Sequence, residues 1–224
     1  MRRPLAVLRP QPGNEATAAR IEARGLSAIR LPLFDVGPLD WTAPDPASFD
    51  ALILTSANGV RHGGPGLAAV HTLPVYAVGA ATARAATAVG FDVKASGTSD
   101  AEALIEQAAA AGVRRALHLC GREARVAPGG IIAQSIAVYA SETLTPLPAD
   151  LARLPGAVAL LHSPRAGAHL GTLIDGAGID RATIAIAAIS LAAAAAAGPG
   201  WHRIATAAAP NDAALIDGAA RLAD

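Results

Sequence analysis

The residues of this 224-residue chain that could do chemistry sit in short turns rather than in one compact motif. The turns are Arg9-Pro10-Gln11-Pro12-Gly13, Ser56-Ala57-Asn58-Gly59, Gly79-Ala80-Ala81-Thr82, Gly121-Arg122-Glu123-Ala124-Arg125, Ser163-Pro164-Arg165 and Ser190-Leu191. Each follows an apolar run, where a strand should end and a helix begin. A helix N-terminus there offers free backbone N–H groups and partial positive charge, which favour anions. Small residues let a large ligand approach the backbone, and hydroxyls cap helices or donate to carboxylates. Taken singly, each turn also has a plain structural reading. Ser56, Ser163 and Thr82 suit helix caps, Arg9, Arg125 and Arg165 suit surface ion pairs, and Gly79 suits the turn itself. Six such turns together favour a ligand, and the ligand they favour is a large polyanion.

Other chemistries lack their residues. Gly121-Arg122-Glu123-Ala124-Arg125 does not end in the Gly-Lys-Ser/Thr of a phosphate loop, and Gly63-Gly64-Pro65-Gly66 has no strand directly before it. The six histidines, at 62, 71, 118, 162, 169 and 202, show no metal spacing joined to cysteines or carboxylates and read as core or surface residues. Ser163 lies in no Gly-x-Ser-x-Gly turn. Cys120, the single cysteine, closes the apolar run Ala116-Leu117-His118-Leu119-Cys120 and reads as a buried strand residue in a protein of the reducing cytoplasm. Basic and acidic side chains balance at 18 each, so a nucleic-acid partner is not expected. Lys94 is the only lysine. The arginine excess suits carboxylates, and a coding bias would produce it equally well. The apolar run after Met1-Arg2-Arg3 ends at Arg9-Pro10, and Ala192 to Ala197 is flanked by Ser190 and Gly198-Pro199-Gly200. Both are too short to cross a bilayer, so no membrane partner is expected.

The elements that must position these turns follow from pattern. Short apolar runs alternate with alanine-rich helical stretches, the signature of parallel α/β architecture. The pattern predicts strands near 4–8, 27–31, 51–55, 75–78, 92–95, 115–119, 136–140, 157–161, 184–188 and 203–205. It predicts helices near 14–24, 57–69, 80–89, 100–111, 123–134, 164–175, 191–198 and 211–222. Aromatic residues make up only 3% of the chain, so its core must be packed from Ala, Leu, Ile and Val. Two proline-rich passages, from Leu31 through Pro38 to Pro46 and from Thr143 to Pro148, read as linkers.

An internal repeat decides the architecture. Leu54-Thr55-Ser56-Ala57-Asn58-Gly59 matches Leu161-His162-Ser163-Pro164-Arg165-Ala166, and Ala77-Val78-Gly79 matches Ala188-Ile189-Ser190. Val93 and Leu104-Ile105 match Ile204 and Leu215-Ile216 at the same offset as the second of these pairs. The middle of the chain continues with two further strands that the C-terminal half lacks, and residues 4–31 have the missing form. The expected fold is therefore two parallel-sheet α/β lobes joined by a two-stranded linker. Residues 1–34 with 143–224 form a discontinuous first domain, and 37–140 form an inserted second domain. Ligands bind beyond the carboxyl ends of parallel strands, where all six turns lie.

These segments, in order, resemble a known family. They are Val7-Leu8-Arg9-Pro10, Asp50-Ala51-Leu52-Ile53-Leu54-Thr55-Ser56-Ala57-Asn58-Gly59-Val60, and Tyr76-Ala77-Val78-Gly79-Ala80-Ala81-Thr82-Ala83 with Gly90-Phe91. Gly121 with Arg125, Val138-Tyr139, Leu161-His162-Ser163-Pro164, Ile189-Ser190, and Ala208-Ala209-Pro210-Asn211 through Leu215-Ile216 complete the series. Together they resemble the uroporphyrinogen-III synthases over nearly the whole chain. The resemblance implies a cofactor-free, metal-free lyase acting on hydroxymethylbilane, a linear tetrapyrrole, between two lobes. Loss of water would proceed through an azafulvene cation, attack by the substituted carbon of ring D, and a spiro intermediate that fragments and recloses. Uncatalysed closure yields the symmetric isomer, so the enzyme must hold the flexible chain in the less accessible geometry and stabilise the cation.

Carried over by position, the resemblance makes Tyr139 the candidate for assisting hydroxide departure; the alternative is a strand tyrosine with a satisfied hydroxyl. It makes Thr55, Ser56, Asn58, Gly59, Gly79, Thr82, Ser163 and Ser190 binders of acetate and propionate groups, and sets Arg9 toward the ligand. It also implies a monomer, with room for transient contact with the deaminase that makes the substrate. Departures from the family pattern are Ala192 or Ala193 where a threonine is common, the region around Ser135 where a glycine is common, and Pro128-Gly129-Gly130 within an expected helix. Three rival readings remain. They are a non-catalytic two-lobed sensor or binding module for an anionic small molecule, a dinucleotide or nucleotide-sugar enzyme on a paired Rossmann scaffold, and a degenerate paralogue without activity.

Overall fold

The computed structural model describes residues 2–97, 101–124, 126 and 128–224. In chain order the elements begin β1 (Leu5–Val7), α1 (Gly13–Glu22), β2 (Ala28–Arg30), β3 (Phe34–Pro38), β4 (Ala51–Leu54), α2 (Ala57–His62), β5 (Val75–Val78) and α3 (Ala80–Ala88). The chain continues through β6 (Val93–Gly97), α4 (Ala101–Ala110), β7 (Ala116–Gly121) and β8 (Ile132–Thr143). It closes with α5 (Pro148–Leu151), β9 (Val158–Leu161), α6 (Pro164–Gly176), β10 (Ala185–Ala188), α7 (Leu191–Ala197), β11 (Arg203–Thr206) and α8 (Asp212–Ala223). Two compact units result. One comprises residues 1–35 and 142–224, and the other comprises residues 36–141.

The discontinuous unit is built on a five-stranded sheet in the order β11-β10-β9-β1-β2, parallel throughout. Side chains alternate across it with the period of two that extended chain dictates. Ala6, Leu8, Ala159, Leu161, Ile186 and Ala188 pack on one face with Leu170 and Ile174 of α6, Ala193 of α7 and Trp201. Leu5, Val7, Val158, Leu160, Ala185 and Ala187 pack on the other with Ile21 of α1 and Leu215, Ile216 and Leu222 of α8. With both faces covered, the strands can be apolar end to end.

The inserted unit carries a six-stranded sheet in the order β3-β8-β7-β4-β5-β6. Its pairs β4–β5, β4–β7, β5–β6 and β7–β8 are parallel. Leu52, Leu54, Leu117 and Leu119 face Val60 of α2 and Ala86 of α3, while Ala51, Ile53 and Tyr76 face Leu104 and Ala108 of α4. Starting from β4, the sheet order is that of starting from β9 in the other unit and counting β1 and β2 as its last two strands. The two sheets thus share one topology, and in the first of them the last two strands come from the N-terminus.

Three local expectations fail, each for a backbone reason. The helix expected over 123–134 does not form. Pro128 disfavours helix before it, Gly129 and Gly130 adopt positive φ, Gly129 bridges to Ile132, and β8 begins at Ile132. Residues 125 and 127 of that segment lie outside the described residues. The first proline-rich passage contains a strand, β3, whose donor-free Pro38 sits at its end in an edge position. The helix expected over 57–69 stops at His62, where Gly63, Gly64 at φ +58° and Pro65 turn the chain into a 3-10 segment.

An alanine-rich core demands close approach, and α6 shows how it is reached. A Cβ at Gly167 would stand 2.7 Å from the Ala193 carbonyl oxygen and 3.0 Å from the Ala197 amide nitrogen. Backbone is pressed on backbone there, so Gly167→Ala should lower stability by about 1–3 kcal/mol although alanine is the better helix former. Gly176→Ala, at the open end of the same helix, meets nothing within 4 Å. Urea midpoints of the two variants compare them directly, and an undiminished midpoint for Gly167→Ala would refute the packing argument.

Candidate functional site

In each sheet the strand order reverses once, between β4 and β7 in the inserted unit and between β9 and β1 in the discontinuous one. Crossover helices leave such a point in opposite directions, which opens a crevice at the carboxyl ends of the two strands. In the inserted unit this crevice is a cavity of about 340 Å³. Thr55 and Ser56 after β4, Gly121 through Ala124 after β7, Ala101 at the start of α4, and Tyr139 and Ser141 of β8 line it, together with Val126.

Local sequence explains each wall. Ser56 is extended and caps α2, its hydroxyl oxygen accepting from the Asn58 amide at 3.2 Å. A capping hydroxyl still owns its proton, so Ser56 can donate to an anion while it caps. Thr55 Oγ1 is 3.1 Å from Nε2 of His118, and His118 Nδ1 is 3.3 Å from the Ser135 hydroxyl. His118 is completely buried, and desolvation pushes its pKa down to about 4, so the ring is neutral at ordinary pH. Tyr139 is half-buried, with its ring centroid 6.2 Å from that of His62 and its carbonyl accepting from the Arg122 amide at 2.9 Å.

The remaining expected residues of this unit stand elsewhere. Asn58 lies within α2, where its Oδ1 accepts from Arg61 at 3.1 Å. Gly59 is buried against the carboxyl end of β7, yet an added Cβ would meet only ordinary contacts at 3.4 Å and beyond. Gly79 precedes α3 at φ +80° and ψ 146°, a conformation open to glycine, and leaves that helix without a side-chain cap. Thr82 is buried, only 4% exposed.

In the discontinuous unit the equivalent reversal point is filled by charge. Asp212, first residue of α8, accepts from Thr17 Oγ1 at 2.8 Å, His162 Nε2 at 2.9 Å and Arg20 Nη1 at 2.6 Å. Burial alone would raise its carboxyl, but hydrogen bonds from His162, Thr17 and Arg20 outweigh that and hold it well below the usual range. Arg9 Nη1 is 3.4 Å from Thr17 Oγ1 and 3.6 Å from Asp212. Burial lowers the Arg9 pKa, and Asp212 opposes the shift. The turn that carries Arg9 is pinned by the fully buried Asn14, whose Nδ2 donates to the Val7 and Arg9 carbonyls. Ser163 and Ser190 cap α6 and α7, accepting from Ala166 and Ala193 at 3.2 Å each.

Sequence reasoning missed Asp212, Thr17, His118 and Ser141. The Asn-Asp pair that opens α8 was the one legible signal, since both residue types favour helix starts. Among the described residues no group of three His, Cys, Asp or Glu could hold a metal ion, and no helix is long and apolar enough to cross a membrane.

The His118 shift has a measurable sign. Its folded pKa lies below the unfolded value of 6.5, so the unfolded chain binds the extra proton and stability is lost as pH falls from 6.5 through 4. The full loss is on the order of 3 kcal/mol. Urea unfolding at pH 7 and pH 4 should show this loss, and His118→Gln should remove that part of it. An equal loss in the variant would dissociate His118 from acid sensitivity.

The family model described as uroporphyrinogen-III synthase HemD matches residues 15–217. No curated protein matches in sequence. The crystal structure of uroporphyrinogen-III synthetase from Helicobacter pylori is similar with a TM-score of 0.66 at 17% identity, covering 99% of this chain and 100% of that one. A mutant uroporphyrinogen III synthase from Thermus thermophilus is similar with a TM-score of 0.53 at 14% identity, covering 97% and 98%. At such identities the two structures show a shared fold, while the family match spans most of the sequence. The chain belongs to the uroporphyrinogen-III synthase family.

Proposed function

We propose that the chain cyclises hydroxymethylbilane to uroporphyrinogen III, with inversion of ring D and loss of water, and that Tyr139 assists the departure of hydroxide by hydrogen bonding. The observation that carries the assignment of Tyr139 is the cavity at the β4/β7 reversal, which brings this phenol together with Thr55 and Ser56. The phenol O–H donates to the departing hydroxyl of the substrate as the C–O bond breaks, leaving the azafulvene cation. The substituted carbon of ring D attacks that cation, the spiro intermediate fragments and recloses, and a pyrrole carbon loses its proton. The hydroxide and that proton together account for the water released.

Substrate carboxylates are met by the N–H groups and hydroxyls of the turns. Ser56, Asn58, Gly59, Gly79 and Thr82 belong to two helix starts or first turns of the inserted unit, and Ser163 and Ser190 to two in the other. Arg9 supplies positive charge, moderated by Asp212. Thr82 is buried and its amide donates to the Gly79 carbonyl at 3.0 Å, so its part is to close the first turn of α3 beneath the amides that meet the ligand. A monomer acting in the cytoplasm, with brief contact to the deaminase, completes the proposal. The buried thiol of Cys120 suits a reducing compartment, and a substrate that closes unaided to the wrong isomer is best passed on quickly.

A coupled assay with porphobilinogen and its deaminase, followed by oxidation and separation of porphyrin isomers, tests the activity. Dominant type III product is expected. Type I alone would eliminate the synthase and leave a binding protein. Tyr139→Phe should lower kcat by about 10- to 100-fold, the range for loss of one hydrogen bond made mainly in the transition state. Unchanged turnover would remove Tyr139 from the chemistry.

A further inference from the structure

Gly121 ends β7 at an irregularity in the β7–β8 register and pairs with Tyr139. Its φ is not positive, so backbone conformation does not require glycine there. Space does. A Cβ at position 121 would stand 2.8 Å from both Cε2 and Cζ of Tyr139 and 3.1 Å from its hydroxyl oxygen. Carbon atoms in contact settle at about 3.5–4.0 Å, so the ring occupies the volume a side chain at 121 would need. The ring cannot escape by a small backbone shift, because the Arg122 amide holds the Tyr139 carbonyl at 2.9 Å and Val138 beside it is fully buried. An added methyl must therefore rotate the phenol away from the end of β7.

We propose that Gly121 is a positioning residue for Tyr139: its missing side chain lets the phenol lie across the end of β7 and sets the hydroxyl in the cavity beside Thr55 and Ser56. This deepens the proposed function and rests on the role given there to Tyr139. Displacement of a reacting group by about 1 Å can cost 100-fold in rate, so a single methyl here acts on kcat.

Gly121→Ala, Tyr139→Phe and the double variant test the inference, each read by kcat, by KM, and by carbon-13 NMR of ring-labelled tyrosine. The chain has two tyrosines, so Tyr139 is assigned by its loss in Tyr139→Phe and Tyr76 serves as internal control. Gly121→Ala should move the Tyr139 resonances and leave those of Tyr76 in place. It should lower kcat at least tenfold with KM changed less than threefold, and the double variant should be no slower than the slower single variant. Unmoved Tyr139 resonances, or losses that multiply in the double variant, would overturn the inference. If Tyr139→Phe turns over normally, the role of Tyr139 fails, while the resonance shift still judges the positioning. If Gly121→Ala does not fold, adding Tyr139→Ala must restore folding; failure to do so would place the clash elsewhere and overturn the inference.

Discussion

Strand β1 is three residues long and completely buried, yet it joins the two ends of the chain. It pairs with β2 on one side and β9 on the other, so the discontinuous unit has a continuous sheet only if this segment docks. A polar knot reinforces the docking. Thr17 and Arg20 of α1 reach the same carboxylate, Asp212, that His162 holds from the end of β9. Because that carboxylate is largely shielded, its hydrogen bonds count for more than exposed ion pairs would. Long-range pairing of this kind carries a loop-closure cost before it yields contacts, so β1 should be among the last strands to settle.

Most of the architecture could be read from period and repetition. Apolar runs marked nearly every strand, and the matched Ser turns showed that the C-terminal half needed the N-terminus to complete it. What escaped was set by backbone chemistry at particular residues. Pro38 disguised β3 as linker, because an edge strand tolerates a residue that a central strand would reject. Helical composition around 123–134 lost to Pro128, Gly129 and Gly130, and the β-branched Ile131-Ile132 pair then led into β8. At the site, the turns could be listed from sequence, but their neighbours could not. His118 reads as one more core histidine until the β4–β7 register puts Ile53 opposite it and Thr55 within its reach. Likewise the Tyr139 ring meets Gly121 through a register shift that no sequence pattern announces.

Arginine content, which hinted at carboxylate recognition, proves to be spent largely within the fold. Arg30 is shared by Glu15 and Glu22, Arg24 pairs with Asp217, Arg181 with Asp175, and Arg20 with Asp212. A chain of zero net charge can still meet a polyanion, because partial charges at helix starts are local and oriented. Ser56, Ser163 and Ser190 show the economy of this arrangement, since one oxygen caps the helix and keeps a proton for another partner.

The shared topology makes one difference between the units informative. Each sheet reverses at a strand pair, and each reversal lies near the first residue of the helix after the third strand, Ala101 in α4 and Asp212 in α8. Where Asp212 stands, the chain supplies its own carboxylate and surrounds it with a hydroxyl, an imidazole and a guanidinium. Where Ala101 stands, the helix start itself lines a cavity, together with Thr55, Ser56 and Tyr139. The repeat explains the asymmetry in residue terms: Thr55 corresponds to His162, and the small Ala101 to the acidic Asp212. One copy of the motif has become a structural clasp for the chain's own ends. The other is a cavity of about 340 Å³, lined by Thr55, Ser56 and Tyr139.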